Sequence, residues 1–539
     1  MAMLSLAIVS VSVATRPHIV FALVDDLGYN GVGYRNADVE TPTIDALASS
    51  GVILDGFYSY KVCAPARGSF LTGRFPYKLA ATRTNFAYFQ TLEGLDLSYT
   101  LLPQQLQRLG YATAMIGKWH QGFYAPQYLP TSRGFDSYLG FLSGCEDHDN
   151  QQNCCAPCNE TLYGIGKPID LFHDGGPAFG LNGTNNGFTF TRAAVAAVHG
   201  HAASSAASNA ERPKPLFLYL SLHNTHAPFQ VPAVYEARYT HAQRLRNVWS
   251  GMVSMVDETV LNVTSALKAA GMWDTTIWLM AGDNGSPICG WGAAGSNDPL
   301  RGGKASNWEG GVHPFAFASG GLIPRAVRGS TLGGSIHIAD LYATFLALAG
   351  EPNATDAAGI APLDSVDVSA YLLGQASTYS MHMHMRAHMR MRSTPQHTSS
   401  ARQARACVDA RGCMCVRVHV RTYAHVRAYL LGQAATSPRS FIVHDHFGKG
   451  DGATGAIRSG DLKLIVGRQP MSTWFGAFSP NGSSAVGAAC GTMACGERPC
   501  LFNISADPTE HVDLVHRREW LRDLSAPAFP RRDRIDSPR

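Results

Sequence analysis

Four short apolar runs, at residues 18–24, 112–116, 216–222 and 276–280, constrain this chain most, because each leads directly into a group of polar side chains. Runs of this length, too apolar to alternate, read as strands buried on both faces. Helical patterns lie between them at 43–50, 101–109, 256–270 and 338–349. These are stopped by Gly51, Gly110, Gly271 and Gly350, the residue that most easily takes the left-handed turn past a helix end. Alternation of this kind from residue 17 to about 350 predicts an α/β domain with a large, mixed, mostly parallel sheet flanked by helices. After Ser437, short strands at 440–444 and 462–466 among glycine-rich loops predict a smaller C-terminal α+β domain.

The ends of those runs hold the chemistry. The first stops at Asp25-Asp26, the second at Lys118-Trp119-His120, the third leads into His223-Asn224-Thr225-His226, and the fourth stops at Asp283-Asn284-Gly285. In α/β sheets, ligands bind beyond the carboxyl ends of the strands. One sheet edge is therefore expected to collect three carboxylates, an amide, a lysine and histidines. Asp-Asn-Gly alone is a common turn, but four strand ends supplying polar groups are hard to explain as turns. Carboxylate and amide oxygens are hard ligands, suited to Ca²⁺ or Mg²⁺ rather than zinc.

A second element is Cys63-Ala64-Pro65-Ala66-Arg67-Gly68-Ser69, followed by Leu71-Thr72-Gly73-Arg74. Pro65 suits the first turn of a helix, which puts Cys63 at a helix N-terminus, where backbone N–H groups attract anions. On the residues alone, Cys63 is either a nucleophile or a buried core cysteine.

The net charge of +4 suggests acidic partners until its source is located. Residues 379–428 hold nine Arg and one acid, so the rest, with 35 basic and 39 acidic side chains, is at −4. Nucleic-acid binding is excluded on that ground. The basic segment is Met/His/Arg-rich and is flanked by a repeat: Ala370-Tyr371-Leu372-Leu373-Gly374-Gln375-Ala376 recurs as Ala428-Tyr429-Leu430-Leu431-Gly432-Gln433-Ala434. It reads as an insertion, 372–429, outside the working fold. The resulting map is a signal segment at 1–14, a catalytic domain at 15–371, the insertion, and a smaller domain at 430–539.

The apolar stretch ending at Ala14 suits signal peptidase, and no other run reaches the ~18 apolar residues that a spanning helix needs. Asn-x-Ser/Thr sites at Asn159, Asn182, Asn262, Asn353, Asn481 and Asn503 fit a secretory route, toward a secreted or lysosomal protein. Cysteine clusters at 145–158 and 490–500 read as disulfide-stapled loops rather than zinc sites, with connectivity left open.

Taken together, the motifs resemble the sulfatase family. Cys63-x-Pro65-x-Arg67 followed by Leu71-Thr72-Gly73-Arg74 resembles its signature, Cys-x-Pro-x-Arg with Leu-x-Thr-Gly-Arg. Asp25-Asp26-Leu27-Gly28, Gly117-Lys118-Trp119-His120, His226-Ala227-Pro228, Gly282-Asp283-Asn284-Gly285 and Leu300-Arg301-Gly302-Gly303-Lys304 follow in the family's order. The arylsulfatase B branch is the most similar, over about 17–370 and 429–514. The resemblance implies an alkaline-phosphatase-like fold and hydrolysis of sulfate esters, with sulfated carbohydrates or aryl sulfates as substrates. It also implies that a formylglycine-generating enzyme oxidises Cys63 to formylglycine. The hydrated aldehyde then offers one hydroxyl to attack sulfur and a second to release sulfate. By the same resemblance, Asp25, Asp26, Cys63, Asp283 and Asn284 hold one Ca²⁺. Arg67 holds the hydrate's oxygens, and Lys118 and Lys304 neutralise sulfate oxygens. His120 acts as base, and His226 protonates the leaving alcohol. Ala66 and Gly68 stand where the family usually carries Ser or another small residue. Two other classes stay open: a phosphomonoester or phosphonate hydrolase of the same superfamily, and a non-catalytic glycan-binding relative.

Overall fold

The computed structural model describes residues 16–79, 92–154, 168–208, 213–289, 293–352, 363–374, 437–447, 454–474 and 491–516. The expected signal segment, the second repeat copy and the insertion from residue 375 onward lie outside these residues.

The four apolar runs form neighbouring strands. Thr276–Gly282, His18–Val24, Leu216–Leu222 and Ala112–Gly117 lie side by side, all parallel, and Ser137–Gly140 extends them. Ala316–Ser319 and Val52–Leu54 join antiparallel beyond Thr276–Gly282, and Ser330–Leu332 pairs parallel with Val52–Leu54. The hairpin strands Phe172–His173 and Gly176–Pro177 close the other edge of this ten-stranded sheet. The strands lack polar alternation because helices cover both faces. In the first strand, Ile19, Phe21 and Leu23 belong to one buried cluster, and Val20, Ala22 and Val24 to another. On the second side the helix Arg244–Ala269 buries Trp249, Val253, Val256, Val260, Val263 and Leu267, an apolar stripe at helical spacing. The helix begins earlier than the expected 256, because the polar residues Ser250 and Ser254 that mask its period are themselves buried.

Among the described residues, the C-terminal region is a four-stranded antiparallel sheet ordered Phe441–Phe447, Thr454–Ser459, Leu462–Gln469 and Met493–Asn503. It packs around Trp308 of the large domain with Ile465, Phe502 and Ile504. A buried charge group crosses the same boundary. Lys463 Nζ lies 2.7 Å from Glu309 Oε1 and 3.0 Å from Glu510 Oε1, with all three side chains at 0% exposure. Tyr58 Oη also donates to Glu309, at 2.8 Å. Two of the anticipated loop staples are present, Cys145–Cys154 and Cys495–Cys500. Cys289 is also disulfide-bonded. No helix among the described residues is long and apolar enough to cross a membrane.

The chain on either side of the insertion converges on Gly334-Ser335. Tyr371 Oη accepts from Gly334 N at 2.9 Å, and Ser437 Oγ donates to the Ser335 carbonyl. Leu372 of the first repeat copy is buried. Deleting 372–429 joins Tyr371 to Leu430 and restores Leu-Leu-Gly at the same place. We therefore propose that the insertion is dispensable. The deleted chain is expected to fold with an unchanged cooperative melt and to secrete at least as well, as read by thermal unfolding and secreted yield.

Lys463→Met leaves Glu309 and Glu510 facing each other without a cation. It is expected to cost about 3–5 kcal/mol of stability, measured by denaturant unfolding, as breaking a buried pair does.

Candidate functional site

The site lies where the strand order reverses, beyond the carboxyl ends of the adjacent parallel strands. Ladder hydrogen bonds run past the strand ends into the polar groups. Asp25 N donates to Leu222 O at 2.9 Å, Asp283 N to Val24 O at 3.1 Å, and Lys118 N to Ser221 O at 3.0 Å. Gly117 makes the last turn possible, because a β-carbon there would lie 2.0 Å from the Ser221 carbonyl oxygen, and its φ is +102°. Successive side chains on a strand point to opposite faces. Asp26 breaks that alternation with a φ of 57°, a left-handed conformation that a non-glycine residue adopts only when its surroundings enforce it. As a result ligand atoms of Asp25, Asp26, Cys63 and His226 all lie within 4.8 Å of one another.

The signature segment forms the helix Cys63–Thr72, with Val62 extended before it, so Cys63 is its first residue. The first turn's N–H groups have no partner within the helix. Arg67 lies one turn on, on the same face, and donates to Asp283 Oδ2 from Nε at 3.1 Å and Nη2 at 2.8 Å. Its Nη2 is also 3.6 Å from Asp25 Oδ1. Ser221 Oγ accepts from Arg67 Nη1 and donates to Lys118 O at 2.7 Å.

Each carboxylate has a cation. Lys118 Nζ is 2.6 Å from Asp25 Oδ2, and Lys304 Nζ is 2.6 Å from Asp26 Oδ1. Asn284 Nδ2 donates to Asp26 Oδ1 at 2.7 Å, and Asp26 N donates to Asp283 Oδ1 at 3.1 Å. Two buried oxygens, Asp25 Oδ1 and Asn284 Oδ1, accept no hydrogen bond. Buried acceptors are normally satisfied, so free carboxylate and amide oxygens here fit a hard divalent cation.

Protonation follows from burial and neighbouring charge. Burial opposes ionisation of Asp25, but Lys118, with His226 and Arg67, outweighs it and holds its carboxyl well below the usual range. Burial, then the Asp25 charge, pushes Asp283 up to about 7. Burial, then Asp25, also pushes the Cys63 thiol up to about 12. Burial and Lys304 lower His226 to about 4. Burial and Lys118 hold His120 well below its ordinary value, and neither of its ring nitrogens has a hydrogen-bond partner. His226 Nδ1 lies 2.6 Å from the Ala227 carbonyl oxygen. A carbonyl only accepts, so Nδ1 carries the proton and Nε2 faces the site, 3.6 Å from Asp26 Oδ2.

The structure thus gathers Asp25, Asp26, Arg67, Lys118, His226, Asp283, Asn284 and Lys304 through hydrogen bonds and ion pairs, with Cys63 Sγ within 4.8 Å of ligand atoms of Asp25, Asp26 and His226. His120 is buried beside them without a direct bond. Sequence reasoning passed over Ser221, although a lone hydroxyl in the buried run Leu-Phe-Leu-Tyr-Leu-Ser-Leu was a usable signal. It also passed over Ser59, whose Oγ donates to Asp283 O at 2.6 Å. Nothing local in the sequence points to that bond.

A family model described as Sulfatase matches residues 17–351. Arylsulfatase J of Mus musculus is 30% identical over 535 residues, covering 95% of this chain and 75% of the relative. N-acetylgalactosamine-6-sulfatase of Mus musculus is 30% identical over 359 residues, covering 64% of this chain and 65% of the relative. Among solved structures, the PsFucS1 sulfatase from Pseudoalteromonas sp. superposes with a TM-score of 0.65 at 22% identity, covering 95% of this chain and 89% of that one. That likeness carries the fold.

The raised carboxyl of Asp283 gives a pH signature. An acid whose folded pKa exceeds its unfolded value contributes stability below the unfolded pKa and loses it as pH rises through the folded one. In the presence of a chelator, the parent protein is therefore expected to lose thermal stability relative to Asp283→Asn as pH rises from about 4 to about 7. Melting curves of both proteins across that range check it; a constant difference would contradict the assignment.

Proposed function

This chain belongs to the sulfatase family, and from that premise we propose that it hydrolyses sulfate esters of sugars or polysaccharides, with residue 63 as the nucleophile position. The observation that carries the reading is the meeting of Cys63 with Asp25, Asp26 and His226 at the start of a helix. The likeness to an N-acetylgalactosamine-6-sulfatase supports a sulfated sugar as the substrate class.

Asp25, Asp26, Asp283 and Asn284 would hold the calcium ion, with an oxygen of the converted residue 63. Bound there, calcium would act as a Lewis acid toward the sulfate group. Formylglycine at position 63 would supply a hydrated aldehyde as the attacking group. The chain's own residues do the rest. Three carboxylates facing three cations are close to neutral overall, so an added divalent cation makes the site positive and attractive to a sulfate anion. Lys118 and Lys304 are placed to take charge from sulfate oxygens as it develops. Arg67, fixed by Asp283 and Ser221, orients the oxygens of residue 63. His120, neutral and unpartnered, is available to accept a proton from residue 63. His226 presents Nε2 to the site and protonates the departing alcohol once the anionic substrate has raised its pKa. A secretory location, with maturation by a formylglycine-generating enzyme, follows from the same reading.

One experiment tests this. Protein made with the maturation enzyme is assayed with 4-nitrophenyl sulfate before and after calcium chelation, and the peptide carrying residue 63 is weighed by mass spectrometry. A formylglycine mass and chelator-sensitive turnover are expected. An intact cysteine in an active enzyme, or turnover that survives chelation, defeats the mechanism.

A further inference from the structure

The residue proposed to protonate the leaving group is held by a loop that the mechanism has not used. We infer that the disulfide-closed loop Cys145–Cys154 positions His226, with His148 as the side chain that fixes its backbone. This rests on the reading of His226 as the acid.

The loop hydrogen-bonds one carbonyl and packs against the next. His148 Nε2 lies 3.0 Å from the His226 carbonyl oxygen, which only accepts, so Nε2 carries the proton and donates. Cys145 Sγ, a disulfide sulfur with no proton to donate, packs 3.3 Å from the next carbonyl oxygen, that of Ala227, which accepts from His226 Nδ1. The imidazole is therefore tied to a carbonyl that the loop packs against, next to one that the loop hydrogen-bonds through His148. The loop is in turn bound to the chain beyond: His148 N donates to Gln230 Oε1 at 2.8 Å, and Gln230 Nε2 to Asp147 Oδ2 at 2.9 Å.

His148 is held from its other side as well. It is buried, with Nδ1 2.9 Å from Oδ1 of Asn186 at the start of the helix Asn186–Ala207, and Asn186 Nδ2 donates to Glu146 Oε2 at 2.9 Å. His223 fills the space between, its ring centroid 4.6 Å from that of His148 and 4.9 Å from that of His226. The path from loop to active nitrogen is thus short and rigid: His148, the His226 peptide, the Nδ1 bond, then Nε2 facing the site. A shift of about 1 Å at a reacting group costs as much as 10²-fold in rate. His148 is accordingly a positioning residue and touches no substrate.

A misplaced acid has a signature that general destabilisation lacks, because it penalises poor leaving groups selectively. The test compares 4-nitrophenyl sulfate, whose phenol leaves readily, with 4-methylphenyl sulfate, whose phenol needs the proton. His148→Leu, which cannot donate, is expected to lose about tenfold in kcat on 4-methylphenyl sulfate and less than about twofold on 4-nitrophenyl sulfate. His148→Gln, which keeps a side-chain N–H, should recover most of that loss. Asn186→Ala serves if the Leu variant does not fold, with the same selectivity at about threefold. Equal losses on both substrates, no loss on either, or a Gln variant no better than Leu would overturn the inference. His226→Ala run alongside separates the two levels. If it too loses equally on both substrates, the reading of His226 as the acid has failed. If it is selective while His148→Leu is not, only the positioning role has failed.

Discussion

The structure depends on the burial of three carboxylates, Asp25, Asp26 and Asp283, against three cations, Arg67, Lys118 and Lys304. An unpaired charge in such a place costs several kcal/mol, so no segment can bring its carboxylate there unless another brings the matching cation. The partners are far apart in the chain, 93 residues for Lys118 with Asp25 and 278 for Lys304 with Asp26. A cluster assembled over those separations requires the central parallel strands to lie in one order and register. The sheet and the site are thus a single construction.

The smaller sheet contributes more than cover. Asp445, on its first strand, accepts from Tyr60 Oη at 3.0 Å, from Lys61, and from Asn307 Nδ2 at 3.3 Å. Ala305 N donates to Lys61 O at 2.7 Å. The loop that precedes Cys63 and the loop that follows Lys304 are therefore fastened to each other and to the C-terminal region. With Lys463 seated between Glu309 and Glu510, this polar seam couples the two regions through groups that are stable only when paired. The chain returns to the large domain after its insertion at Arg439, whose guanidinium is buried against Asp340.

Much of this was legible beforehand. The strands His18–Val24 and Leu216–Leu222 fall on the bounds that their apolar runs suggest, because a strand buried on both faces has no polar position to blur it. The helix Arg244–Ala269 extends well before the predicted 256, since buried Ser250 and Ser254 break its period, and it carries a further buried polar group, Asp257. Asp257 faces inward because its carboxylate accepts from the N–H groups of Thr43 and Ile44 at the start of another helix, a partner 213 residues away. Spacing along a sequence cannot disclose a bond of that kind.

By itself the sequence determined which residue types stand at the ends of the central strands and at the start of the Cys63 helix. Strand ends are marked by apolar runs that stop, and the Cys63 helix by Pro65 and the period that follows, so the residue types at those points are fixed locally. Tertiary structure alone decided how they are held: the pairing of each carboxylate with its cation, the left-handed turn that brings Asp25 and Asp26 together, and the burial that raises the pKa of Asp283 and Cys63. It also decided the hold of the Cys145–Cys154 loop on His226. Those properties depend on distance and on exclusion of water, and both arise only when segments hundreds of residues apart are packed against one another.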